Sequence, residues 1–195
     1  MSSPAAARGR EVRQRLLAAA AELIPERGWT AVSTRVLAER AGVTPSVVHY
    51  HFPSVSAVLN EAALDVMRRV LDELDAVLDG AASAAEVIDA VLASAQEVAG
   101  SDPTLLLVVE SYLAASRDDG LREQIGTLVT EFRGRLARRL GEHGVAAPAD
   151  TAAVLAATLD GVFLHRGLGS GPDLTAVASV LHRLVRPQHV REHTA

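Results

Sequence analysis

Between Thr44 and His51 the chain sets two hydroxyls, two imidazoles and a phenol within eight residues, Thr44-Pro45-Ser46-Val47-Val48-His49-Tyr50-His51. Groups of this kind hydrogen-bond phosphate oxygens and base edges, and the Val47 methyls suit contact with a thymine methyl. Arg35, one short segment earlier, adds a cation. The same residues are poorly placed for catalysis or metal binding. His49 and His51 stand two apart, so on a helix their side chains diverge and share no ligand. His189 and His193 have i,i+4 spacing, but they lie in a C-terminal tail expected to be loose. There is no cysteine, no Gly-x-Ser-x-Gly and no His-Glu-x-x-His. Gly167 to Pro172 is glycine-rich but follows a helical pattern rather than a strand, so it is no nucleotide loop. The expectation is a binding protein, not an enzyme, with no metal or cofactor.

Presenting residues 44–51 outward requires a short helix held on a second one. Thr34 to Ala41 carries Val36, Leu37 and Ala41 at helical spacing. Gly42 ends that helix, since glycine takes the left-handed backbone without a steric cost. Val43 plugs the space between the helices. The Thr44 oxygen is expected to accept from the next turn, and Pro45 suits the first helical position. Val48 and Phe52 are the expected core anchors. Two helices about a short glycine-containing turn form a helix-turn-helix, whose second helix enters the major groove. Helix, glycine and helix also recur in all-α proteins as plain structure. An all-helical protein-interaction module without DNA binding is therefore the alternative.

Residues 10–60 resemble the DNA-binding domain of the TetR family. The resemblance rests on Glu26-Arg27-Gly28-Trp29, then Val32-Ser33-Thr34, then Leu37-Ala38-Glu39-Arg40-Ala41-Gly42-Val43-Thr44, and finally Val48-His49-Tyr50-His51-Phe52. It implies an operator-binding, ligand-released repressor whose last two helices pair with those of a second copy. It also implies contacts to double-stranded DNA from Arg35, Thr44, Pro45, Ser46, Val47, His49, Tyr50 and His51. Two departures stand out. His49 occupies a position the family usually gives to tyrosine, and Pro53-Ser54-Val55-Ser56 lacks the lysine that often follows the Phe.

The net charge of −5 first argues against a DNA partner, but it is unevenly spread. Residues 1–52 hold seven arginines against four glutamates, a balance of +3, and the remainder is at −8. A basic reader on an acidic body fits that asymmetry. Nearly half the 195 residues are apolar, with no run long enough to span a membrane and no signal-peptide pattern at Met1 to Gly9. A cytoplasmic protein is expected.

The remainder reads as helices. Arg8 to Arg15 forms a basic arm into a first helix from about Arg10 to Glu26, with Arg8, Arg10 and Arg13 either reaching phosphates or forming a solvated face. Trp29 closes the small domain. A long fourth helix, capped by Ser54 or Ser56, runs to about Leu78. Ser83-Ala84-Ala85-Glu86 fits a capping box opening a helix to about Ala99. Gly100-Ser101-Asp102-Pro103 stops and restarts the chain, and Leu105 to Ala115 is apolar almost all round and expected to be buried. Asp118-Asp119-Gly120 reads as a turn before a helix from about Leu121 to His143, with Arg133, Arg135, Arg138 and Arg139 on a solvated face. Helices from Pro148 to about Leu168 and from Asp173 to Val185 follow, ended by Pro187.

The fold expected is all-α: an N-terminal three-helix helix-turn-helix DNA-binding domain, residues 1–53, and a six-helix ligand-binding and dimerisation domain, residues 54–195. Ala156, Ala157 and Gly161 would let the last two helices approach a second copy closely. The middle helices should enclose a small, mainly apolar effector, with Met67, Leu106, Val109, Glu110, Tyr112, Leu113, Phe132, Phe163 and His165 as candidate contacts. Each of these residue types is more often ordinary core than a ligand contact.

Overall fold

The computed structural model describes residues 4–96 and 102–185. Gly100, Ser101, Pro187 and the tail with His189 and His193 lie outside the described residues, as does the expected end of the fifth helix near Ala99. The described residues form helices α1 Pro4–Arg27, α2 Thr34–Ala41, α3 Pro45–His51, α4 Val55–Asp79, α5 Ala84–Gln96, α6 Pro103–Ala115, α7 Asp119–Glu142, α8 Pro148–Gly167 and α9 Leu174–Leu184. A 3-10 turn, Trp29–Ala31, follows α1, and no strand occurs among these residues. None of these helices is long and apolar enough to cross a membrane.

Local chemistry sets most of the helix ends. The Ser54 hydroxyl accepts from Ala57 N–H at 3.1 Å and opens α4. Half of the box at Ser83 forms: its hydroxyl accepts from Glu86 N–H at 3.2 Å, but the Glu86 carboxylate reaches one residue past the cap and accepts from Ala82 N–H at 2.8 Å. Asp173 caps α9 through Thr175 N–H at 2.9 Å. At the α6–α7 corner the structure corrects the sequence reading. Asp118 is a cap, accepting from Leu121 N–H at 3.0 Å, and the helix begins at Asp119 instead of Leu121. The basic segment from Arg8 is likewise helical, because α1 starts at Pro4, where proline suits a first turn.

Packing divides the chain into two compact units, residues 1–69 with 103–126 and residues 70–102 with 127–195. In the first, α1 supplies Leu16, Ala20, Leu23 and Ile24, α2 supplies Leu37 and Ala38, and α4 supplies Val58, Leu59 and Ala63. Leu107 of α6 is buried in this same core. The expectation that α6 is buried all round is therefore wrong. It buries one stripe, Leu107, Ser111 and Ala115, at four-residue spacing, while Leu106, Tyr112 and Leu113 are exposed. The Ser111 hydroxyl, fully buried, donates to the Leu107 carbonyl at 2.6 Å, which satisfies it within its own helix.

The second unit is built on Leu78, Ile88, Leu136, Leu140, Leu155 and Leu159, with Phe132 and Leu181 also buried. Two of the arginines expected on a solvated face are instead paired across helices. Arg135 of α7 meets Asp75 at 3.3 Å and Asp72 at 3.5 Å of α4, and Arg139 pairs with Asp79. Ala156, expected to face a second copy, is buried in this unit's own core.

Candidate nucleic-acid interface

The reading motif is assembled by caps and a small apolar centre. Ser33 accepts from Val36 N–H at 3.4 Å to start α2. Gly42, at φ 65° and ψ 39°, ends it, and Val43 N–H reaches the Ala38 carbonyl at 2.9 Å. Val43 then packs, half-buried, against the core, and Val48 and Phe52 are buried, as their spacing predicts. Thr44 departs from expectation. It precedes α3 but caps no N–H; its hydroxyl bonds the Ser46 hydroxyl at 2.9 Å. One of that pair keeps a hydrogen free to donate outward.

Burial around α3 fits one helical geometry. Residues step about 100° apart around a helix, which puts Ser46 and Tyr50 about 160° and 200° from Val48. Val48 is fully buried, Ser46 and His49 are exposed, and Tyr50 is 85% exposed. Val47 and His51 are half-buried. His51 lies edge-on to the Tyr50 ring, with centroids 5.1 Å apart, and its Cε1 is 3.9 Å from where a Cβ on Gly9 of α1 would sit. The Tyr50 ring is thus left open on the side of α3 opposite the core.

Charge pairs hold α1, α2 and α4 around this helix. Arg40 of α2 bonds Glu26 at 2.6 Å and Glu22 at 3.1 Å, both on α1. The bond to Glu26, then that to Glu22, raises the Arg40 pKa, and the same Arg40 bond holds the Glu26 carboxyl below its ordinary range. Arg13 pairs bidentately with Glu61 of α4, one contact at 2.6 Å, and lies 4.6 Å from the Phe52 ring centroid. The Glu61 bond raises its pKa. Arg13 is thus a brace, which removes it from the expected phosphate arm. Arg8, Arg10, Arg15 and Arg35 are exposed and make no ion pair among the described residues.

This geometry is a helix-turn-helix with an open polar face, and the comparisons agree with it. Residues 16–62 match the family model of bacterial regulatory proteins of the tetR family, and residues 82–187 match that of the tetracyclin repressor-like C-terminal domain. The chain belongs to the TetR family. It is a transcriptional regulator with a helix-turn-helix DNA-binding domain, of a family of regulators and not of enzymes. It is similar to an uncharacterised HTH-type transcriptional regulator of Mycobacterium bovis, 26% identical over 86% of this chain and 88% of that one. It is also similar to the HTH-type regulator BetI of Rhizobium meliloti, 26% identical over 82% of this chain and 80% of that one. Among solved structures, a protein assigned as a transcriptional regulator in Streptomyces coelicolor is 32% identical, with TM-score 0.74 over 90% of this chain and 98% of that one. A fold neighbour from Saccharomonospora viridis, solved with choline, is 22% identical, with TM-score 0.75 over 90% and 96%.

The candidate effector residues of this TetR-family chain fall into both units. Met67, Val109, Glu110, Tyr112 and Leu113 belong to the first unit, and Phe132, Phe163 and His165 to the second. Met67 is buried, and Tyr112 and Leu113 are exposed. Phe132 is in the second core, Phe163 packs against it, and His165 is exposed. Glu110 has a contact the sequence did not suggest: its carboxylate accepts from Trp29 N–H at 2.9 Å. Gly28 beside it has φ 80°, and Glu110 lies 3.7 Å from where its Cβ would be. Asn60 of α4 similarly donates to Asp118 at 2.9 Å. These two bonds tie α6 and the start of α7 to the helix-turn-helix region. No short sequence motif announces them, because each joins residues more than fifty positions apart.

Proposed function

We propose that this protein is a ligand-released repressor that binds a near-palindromic operator as a homodimer. The observation that carries the reading is α3 itself, with Val48 buried and Ser46, His49 and Tyr50 turned outward. Arg35, Thr44, Pro45, Ser46, Val47, His49, Tyr50 and His51 form the DNA-contacting set, and residues 1–53 act as the reading domain. Two such helices roughly 34–36 Å apart meet two half-sites one helical turn apart.

The dimer is supported by a seam on α8 and α9. Val154, Ala157, Gly161, Leu164 and Leu168 recur at alternating three- and four-residue steps, and Val154, Leu164 and Leu168 are exposed. Val177, Val180 and Leu184 repeat the spacing on α9, with Val180 and Leu184 exposed. A heptad-like stripe left open in one chain suits the same stripe of a second copy. A Cβ on Gly161 would meet nothing within 4 Å, so the stripe has room at its centre.

The effector is a small, mainly apolar molecule with a few polar handles, contacted by residues from the candidate set in the chain from 54 onward. It acts by linkage: a ligand that prefers the conformation with mis-spaced reading helices weakens DNA binding by its differential affinity. Choline belongs in a ligand screen because the Saccharomonospora viridis fold neighbour holds it. Such a regulator works in the cytoplasm, where its operator is.

Gel-shift titration on DNA from upstream of its own gene, at two salt concentrations, tests the reading. A dimeric reader binds with affinity that falls steeply with salt as arginines release counterions. No shift at low salt, from a folded protein, would leave the protein-interaction reading in its place. Thr44→Ala should weaken all sites alike, whereas Ser46→Ala and Val47→Ala should alter sequence preference.

A further inference from the structure

We propose that DNA binding by this protein is proton-linked, with His49 and His51 taking up protons as the shoulders of α3 meet the phosphate walls of the groove. The proposal rests on α3 being the reading helix. From the buried Val48, the outward centre of α3 is Ser46 and Tyr50, at about 160° and 200°. His49 lies about 100° to one side, and His51 about 60° to the other, on the half of the helix occupied by Val47. Burial agrees: His49 is exposed and His51 half-buried. A helix seated in the major groove turns its centre to the bases and its two flanks to the backbones on either side. The two imidazoles therefore fall where phosphates are expected, on opposite flanks.

Both imidazoles are unpaired in the described structure. Neither makes an ion pair or hydrogen bond among the described residues; the rings of His51 and Tyr50 stand at right angles, with centroids 5.1 Å apart. Gly9 of α1 lies against His51, and the charged groups on the turns around it are Arg8, Arg10, Glu11 and Arg13, the last committed to Glu61. On α2 they are Arg35, Glu39 and Arg40, the last committed to Glu22 and Glu26. On the first two turns of α4 the one charge is Glu61, which Arg13 holds. No carboxylate pairs with either histidine among the described residues. A phosphate arriving beside an imidazole favours the imidazolium, and histidine changes charge between about pH 5 and 8. Binding and protonation are then linked, and each strengthens the other. Each imidazolium–phosphate contact also adds counterion release, so the salt dependence should be steeper in acid.

The test measures Kd at pH 6 and pH 8 for two probes, duplex DNA from upstream of the gene and sheared genomic DNA. The second probe needs no operator, because phosphate contacts are independent of sequence. The expected ratio of Kd at pH 8 to Kd at pH 6 is about tenfold or more, since uptake of one proton gives at most about tenfold per pH unit. His49→Gln, which keeps hydrogen bonding but not the charge change, should remove more than half of the ratio on a logarithmic scale. His51→Gln should remove a smaller part, and the double variant nearly all of it, whereas Arg35→Gln should weaken binding equally at both pH values. Thermal melts confirm that each variant folds, and the single variants suffice if the double one does not. Absence of binding at either pH defeats the DNA-reading assignment itself. Binding with a Kd independent of pH overturns the proton linkage alone. A pH response that persists in folded His49→Gln and His51→Gln assigns it elsewhere and equally overturns the proposal.

Discussion

The two packing units hide similar residues and expose different ones. Both have cores rich in leucine, valine and alanine. The first unit turns out a helix of hydroxyls, imidazoles and a phenol, with the cations Arg8, Arg10, Arg15 and Arg35 unpaired nearby. The second turns out aliphatic side chains: Val154, Leu164, Leu168, Val180 and Leu184. A polar, cationic surface loses little by staying wet until it meets an anionic partner. An aliphatic stripe gains by being covered. One chain thus carries two open surfaces of different chemistry, which suit the two different partners proposed for it.

The comparison breaks first if α6 is not part of the reading unit. Leu107 is almost fully buried among residues of α1, α2 and α4. Leu107→Ala should therefore cost about 2–5 kcal/mol, the range for a leucine deleted from a packed core. Denaturant melts measure the loss, and DNA affinity should fall with it as the unfolded fraction grows. If the melt shifts by less than 1 kcal/mol while DNA binding holds, α6 is only loosely attached and the division is drawn wrongly.

The next test concerns the aliphatic surface. Leu164→Asp combined with Val180→Asp puts charges on both exposed helices of the seam. Because both side chains are about half exposed in the single chain, folding of the chain itself should change little, within about 0.5 kcal/mol per site. Sedimentation should show a monomer. Operator affinity should drop about 100-fold or more, since tethering two reading heads contributes that much avidity. A monomer that still binds the operator at full strength would sink the dimeric reading and leave the stripe unexplained.

How far the sequence foretold this depends on the range of each signal. The bounds of α2 and α3 came out as read, because Ser33, Gly42 and Pro45 act within a turn of themselves. The outward face of α3 was equally legible from one buried anchor, Val48. Thr44 misled because two side chains, Thr44 and Ser46, satisfy each other in place of the backbone. The one-sided burial of α6 was invisible for a different reason. Leu105, Leu106, Val108, Val109 and Leu113 surround Leu107, Ser111 and Ala115 with apolar residues on every side, so no polar face marks the exposed one. Arg13 and Arg135 looked like surface cations because their partners, Glu61 and Asp72 with Asp75, come from another helix far along the chain. Small residues on α8 did not by themselves separate inward from outward positions. Ala156 lies in the core of its own unit, while Val154, Leu164 and Leu168 are exposed.

The bond between Glu110 and Trp29 separates a structural clamp from an effector contact. Glu110→Ala should cost about 1–2 kcal/mol, slightly below the usual value for a hydrogen bond to a charged group because the site is only part-buried. Glu110→Gln, which keeps an acceptor, should recover about half. If both variants melt with the parent chain but lose the response to an effector, Glu110 is a ligand contact and the clamp is incidental.

Acid sharpens the picture of how the first unit is braced. Two of its carboxyls are held below their ordinary range, Asp118 by Leu121 N–H and then Asn60, and Glu26 by Arg40. A lowered carboxyl contributes stability that is fully present above its unfolded value, near about pH 4, and that fades as pH falls through the folded value. Stability should therefore be flat from pH 7 to 5 and decline below 4. Asp118→Asn keeps a capping oxygen, so its cost at neutral pH should be under about 1 kcal/mol, and its acid decline should be shallower. An unchanged acid limb in that variant would remove Asp118 from the bracing.

The smallest effect expected is in the second unit, at Ala147. Its backbone lies in the left-handed region, at φ 47° and ψ 56°, at the start of α8, where no side chain caps the helix. A non-glycine residue there costs about 1–2 kcal/mol relative to the ordinary helical region. Glycine removes that strain but loses more chain freedom on folding, by about 0.5–1 kcal/mol. The difference leaves Ala147→Gly stabilising by about 0.5 kcal/mol, with DNA binding unaltered. Because the gain belongs to the second unit alone, it also reads out cooperativity. If the melting curve moves upward as one transition, the two units unfold together. If only its later part moves, they unfold separately, and strain relieved beside α8 never reaches the reading helix.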